Sequence, residues 1–114
     1  VATALVNALG AEAFRRYPDT TAIFAANDQT AFGARLYLYE QGLRVPEAVS
    51  LVGFDDIALS AYQIPPLTTV RQPIQDIGIA LGRALRAVLA GEVPTLPRLE
   101  LRLVERASVR EVRA

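Results

Sequence analysis

Short apolar runs alternate with longer stretches of helical period along this chain, and that alternation constrains its fold more than any other feature. Residues 21–26 (TAIFAA), 49–54 (VSLVGF) and 67–70 (LTTV) are β-compatible runs of the kind expected of buried parallel strands. Helical stretches separate them. Residues 2–16 place Leu5, Val6, Leu9 and Ala13 on one face, and Pro18-Asp19 ends that stretch. Residues 29–41 follow the N-cap candidates Asn27 and Asp28 and stop at Gly42. Residues 73–90 begin at Pro73, carry a stripe of Ile74, Ile77, Leu81, Leu85 and Val88, and end at Gly91. Residues 57–63 read as a short helical or irregular stretch stopped by Pro65-Pro66. After a proline-punctuated loop over residues 92–97, Leu99, Leu101 and Leu103 alternate with Glu100 and Arg102, predicting a half-exposed edge strand. This order predicts an α/β fold, a parallel sheet flanked by helices. Such sheets bind ligands beyond the carboxyl ends of their strands.

At 114 residues the chain is expected to form one domain or less, and 52% hydrophobic with 21% charged residues fits a folded globular piece. No apolar run approaches the roughly 20 residues that span a bilayer. The first 17 residues lack a basic start and carry Glu12, Arg15 and Arg16, unlike a signal peptide. The absence of Met leads us to expect a piece of a longer protein. With neither Cys nor His, thiol catalysis, Cys/His zinc sites and His-based acid–base chemistry are excluded. Twelve basic residues, all Arg, balance twelve acidic ones. A net charge of zero argues against nucleic-acid binding by this piece alone, which would rest on a concentrated positive field.

Polar clusters follow the predicted strands. Asn27-Asp28-Gln29 offers amide and carboxylate groups able to bond a hydroxyl-rich ligand, or simply to cap a helix. Asp55-Asp56, after Gly53-Phe54, offers charged acceptors for ligand hydroxyls, or a solvated turn. Gln72 follows the third strand in the same way. Paired acids also occur in glycosidases, but adjacent residues rarely face one site, and no catalytic motif is present. Phe32, Arg35, Leu36 and Tyr39 form a strip suited either to the core or to a partner, and Tyr62 poses the same choice. Arg102, Arg106, Arg110 and Arg113 recur at helical spacing among acids, as a solvated charged face would.

Together, TAIFAANDQTAFGA, SLVGFDDIALSAYQIPPLTTVRQP and LVERASV resemble the LacI/GalR family of bacterial transcription regulators in order and spacing, across residues 20–109. Periplasmic sugar-binding receptors share the fold, and such a receptor is the alternative reading. PPLTTV-x-Q-P followed by ER-x-S is more typical of the regulators. The resemblance implies part of a type I periplasmic-binding-protein-like core in a cytoplasmic homodimer that senses a small polar effector, a sugar or related metabolite. DNA operator binding would come only through an amino-terminal helix-turn-helix headpiece absent from this chain. It implies no enzyme activity, cofactor, metal or membrane partner. Residues 1–72 would be part of the carboxyl-terminal subdomain, residues 73–97 a crossover helix belonging to the amino-terminal subdomain, and residues 98–114 the return strand and tail. The stripe on that helix is then expected to pack elsewhere in the chain or on another copy. By the same resemblance, Asn27, Gln29, Asp55 and Gln72 are effector contacts. Ile74 stands where some members place an aromatic ring against the ligand, which removes a stacking contact. Phe32, Arg35, Leu36, Tyr62 and Gln63 match the part that meets the second subunit.

Overall fold

The computed structural model describes residues 10–112 and divides into two compact units, one running to Arg71 and resuming at Leu103, the other Gln72–Arg102. The first unit holds β1 (Ala22–Phe24), α1 (Asp28–Glu40), β2 (Ser50–Asp55), a 3-10 turn (Ala58–Tyr62) and β3 (Thr68–Arg71). A last strand, β4 (Arg102–Val104), completes a four-stranded sheet of order β1-β2-β3-β4. β1 pairs with β2 and β2 with β3, both parallel, so their carboxyl ends share one edge. The α/β class expected from the alternation is the one observed.

The core forms where α1 lies on the sheet. Ala31 and Ala34, three residues apart, turn one helical face onto Ala25, Leu51 and Leu67, and Leu38, four residues further on, is fully buried. The small alanine side chains keep that face flat. Phe32 packs partly against the same cluster from one side. Ahead of β1, the described part of the leading helix (residues 10–16) meets α1 through Phe14 and Gly10. The Phe14 ring lies 5.7 Å from that of Tyr37, and Gly10 faces the same side chain. Ala13, on the predicted apolar face, is exposed, while Leu5, Val6 and Leu9 lie outside the described residues.

The carboxyl-terminal tail is an integral part of the sheet. Ser108 is buried, its hydroxyl donates to the Leu51 carbonyl (2.5 Å) and accepts from the Thr68 amide (2.8 Å). The Leu51 amide donates to the Ser108 carbonyl at 2.8 Å and the Ala107 amide to that of Pro66 at 3.1 Å. One hydroxyl thus joins β2, β3 and the tail. The ER-x-S motif is explained by this stitching, and the reading of Arg102, Arg106 and Arg110 as one helical charged face is corrected. The described tail contains no helix, and Arg106 is mostly buried; Arg113 lies outside the described residues.

Strand bounds differ from expectation at the edges. β1 is only three residues long and half-exposed rather than buried, because it is the outer strand. β4 occupies residues 102–104 rather than 99–103, and Leu101 and Leu103 are exposed, so the predicted alternation does not sort inward from outward residues.

In the second unit, α2 (Ile74–Leu89) follows Pro73, which stands at its N-cap rather than in its first turn. Its first-turn Asp76, with Ile79, Ala80 and Arg83, lines an open concavity of about 450 Å³ together with Thr95, Pro97 and Leu99. Residues 95–99 therefore return along this helix. Of the predicted stripe, Ile77 is half-buried, while Ile74, Leu81, Leu85 and Val88 are 56–61% exposed among the described residues. No helix among the described residues is long and apolar enough to cross a membrane.

Candidate effector site

The carboxyl ends of β1 and β2 carry the polar residues singled out in the sequence. Asn27 stands three residues beyond β1 in extended backbone, and its Oδ1 accepts from the Thr30 amide at 2.8 Å. The capping reading of Asn27 is therefore realised, and the cap fixes its side chain at the rim of the sheet. Gln29 is exposed on the first turn of α1. Asp55 ends β2 at a φ of 107° and Asp56 follows at 54°. Two successive non-glycine residues in left-handed backbone carry strain of order 1–3 kcal/mol each, a cost that persists only where surrounding contacts impose it.

Those contacts come from residues that the motif reading underrated. Asp28 was weighed as a cap, but its carboxylate is wholly buried. It accepts from the Ile57 amide (2.9 Å), the Ser60 hydroxyl (2.5 Å) and the Thr69 hydroxyl (2.5 Å). The start of α1, the turn after β2 and the middle of β3 meet on this one group. Asp56 makes the second tie. Its side chain, 5% exposed, accepts from Arg106 (2.7 Å) and Arg71 (2.5 Å), and Arg106 also donates to the Leu67 carbonyl at 2.7 Å. Burial opposes ionisation of Asp56, but the hydrogen bonds and charges of Arg106 and Arg71 outweigh it and hold the pKa below the ordinary carboxylate value. The solvated-turn reading fails for Asp56, which is committed to a structural ion pair. Of the adjacent acids, Asp55 is the one that ends β2. Chain spacing hinted at none of this, because the donors lie 15 to 50 residues away.

Gln72 opens the second unit, half-buried, its carbonyl accepting from the Ile74 amide at 2.9 Å. The partner-strip residues lie in the first unit. Phe32 is half-buried on the core, Leu36 is 37% exposed and Tyr62 is 80% exposed. Gln63 donates to the Leu59 carbonyl at 3.4 Å. Arg35 donates to the Ile64 carbonyl at 2.5 Å, joining α1 to the segment that carries Tyr62. No cluster of three or more His, Cys, Asp or Glu suited to a metal occurs among the described residues.

A parallel sheet with polar, strain-bearing turns at its carboxyl edge defines a ligand-binding α/β domain, and residues 2–109 match the family described as periplasmic binding protein-like domain. The chain belongs to that family and, within it, to the LacI-type branch. It is 40% identical over 70 residues to the probable HTH-type transcriptional repressor ExuR of Bacillus subtilis, covering 61% of this chain and 21% of that protein. Among solved structures it resembles a CelR–cellobiose complex (38% identity, TM-score 0.81), covering 90% of this chain and 32% of that one. It also resembles a dimeric Lac repressor with a carboxyl-terminal deletion (33% identity, TM-score 0.79), covering 91% and 39%. The chain thus spans between about a fifth and two fifths of these relatives.

Proposed function

We propose that this chain is an effector-binding and dimerisation part of a LacI-type transcription regulator. A small polar metabolite, a sugar by chemical class, binds at the carboxyl edge of the sheet through Asn27, Gln29 and Asp55, with Gln72 assigned to the same role by its place after β3. The carrying observation is the strained Asp55, held at a strand end by two buried carboxylate networks; the relative that binds cellobiose supports the ligand class. An ionised acceptor makes hydrogen bonds of about 1.5–3 kcal/mol to ligand hydroxyls. Effector binding shifts the population between two arrangements of the core, provided that its affinity for the two differs. Operator DNA is bound by a helix-turn-helix outside this chain, in the cytoplasm. The protein is not an enzyme, in keeping with relatives that are regulators.

The test is a thermal-shift screen of the full-length protein against mono- and disaccharides, including cellobiose, followed by calorimetry. Asp55→Asn is expected to weaken sugar binding by about 10- to 100-fold while the protein stays folded. Unchanged affinity removes Asp55 from the site, and a screen without any response overturns the sugar class.

Dimerisation is assigned to Phe32, Arg35, Leu36, Tyr62 and Gln63. Exposed Leu36, Tyr39, Tyr62 and Ile64 form an apolar surface beside an open concavity of about 640 Å³ lined by Arg35, Tyr39, Val45, Pro46 and Pro65. In light scattering, Tyr62→Asp is expected to shift a dimer to monomer, and a wild type that is monomeric at working concentration rejects this surface.

A further inference from the structure

We infer that Asp28 is the positioning residue of the effector site: it locks the Asp55-bearing turn onto the start of α1 and touches no effector itself. This inference rests on the proposed function for its consequence, but on geometry alone for its mechanism. The carboxylate is fully enclosed, and its three donors come from the turn after β2, the 3-10 segment and β3. Two carboxylate oxygens offer about four acceptor positions, so little capacity remains, and none of it reaches solvent.

The bond to the Ile57 amide is the decisive one. It falls two residues beyond Asp55, immediately after the two left-handed residues, and so fixes the direction in which the chain leaves β2. The Ser60 bond repeats the restraint one turn later. On the other side, Asp28 is the first residue of α1, between the capped Asn27 and the exposed Gln29. One buried group therefore sets the spacing of the three candidate contacts, two as chain neighbours and the third through the turn. Released from Asp28, the strained pair loses one of its two restraints, and the Asp55 carboxylate shifts from its place. Asp56 and its arginines hold the same turn from the opposite side, by the side chain of the second left-handed residue.

Amide hydrogen exchange on the full-length protein tests this without any sugar. In Ser60→Ala and Asp28→Asn, exchange over residues 55–60 is expected to accelerate about tenfold or more, with protection of residues 50–54 of β2, of β3 and of α1 retained. Ser60→Ala removes a single donor, and it carries the test if Asp28→Asn does not fold. Uniform loss of protection across the sheet would make Asp28 a general core residue and overturn the inference, as would unchanged exchange at residues 55–60. A calorimetric titration with cellobiose separates the two levels. Faster local exchange without sugar binding by the wild type leaves the positioning role standing and counts against the proposed ligand. Cellobiose binding that is equally tight in Ser60→Ala, despite faster local exchange, overturns the link to the site.

Discussion

Gly53→Ala is expected to destabilise the protein by about 4 kcal/mol, the combined effect of overpacking and of a displaced charged hydrogen bond. A Cβ on Gly53 would lie 2.2 Å from Oδ1 of Asp28 and 2.9 Å from Cδ2 of Leu67. The Leu67 methyl can yield a little. The carboxylate cannot, because it is held by a backbone amide and two buried hydroxyls. Room for the methyl group comes only from breaking part of that network. Since whole domains are stable by about 5–15 kcal/mol, a substitution of this size will show as a large fall in the urea midpoint. Asp28→Ser shortens the offending side chain, so the double variant is expected to be less destabilised than the sum of the single ones. A Gly53→Ala protein within about 0.5 kcal/mol of wild type would mean that the carboxylate is not locked as described.

The second large effect is expected at the other carboxylate. Arg106→Met removes a guanidinium that donates to Asp56 and to the Leu67 carbonyl, leaving a nearly buried acid with Arg71, whose side chain is 57% exposed. Breaking a buried pair from one side costs about 3–5 kcal/mol at neutral pH. The sign of its pH dependence follows from the lowered pKa of Asp56. A carboxyl group whose folded pKa lies below its unfolded value of about 3.9 contributes stability that is complete well above that value. That contribution disappears as pH falls through the folded pKa. In Arg106→Met, burial still disfavours the charge while one of its two compensating partners is gone, so the folded pKa rises toward or above the unfolded one, and acidification costs this variant less stability than the wild type. Unfolding measured from pH 7 to pH 3 is therefore expected to show a gap between the two proteins that narrows on acidification. A gap independent of pH would mean that the loss is one of packing around the guanidinium rather than of the ion pair.

Both predictions explain motif residues that the sequence could only display. Gly53 in V-G-F and Asp28 in A-N-D read as separate signatures of a strand end and a helix start. In the structure they are one contact, with glycine required because the carboxylate fills the space of a side chain. Likewise, Arg106 read as part of a charged face and Ser108 only as the end of ER-x-S, yet one neutralises Asp56 and the other joins β2 to β3. Such pairings are invisible to periodicity, since hydrogen-bond partners 29 to 57 residues apart leave no local pattern.

By itself the sequence determined the class of fold and the order of its elements. Apolar runs and helical spacing are local consequences of burying one face of a helix or both faces of a strand, and they survive without knowledge of the partners. It also placed Asn27, Gln29 and Asp55 at strand ends, because position relative to an element is local information. Only the tertiary structure decided which acids are buried in networks that join several elements. It tied Asp56 into an ion pair, moved Asp28 from cap to anchor, and left Ile74, Leu81, Leu85 and Val88 of α2 exposed. The reason is physical: a buried charge is tolerated only where donors converge on it from several elements, and that convergence exists only once the chain has folded.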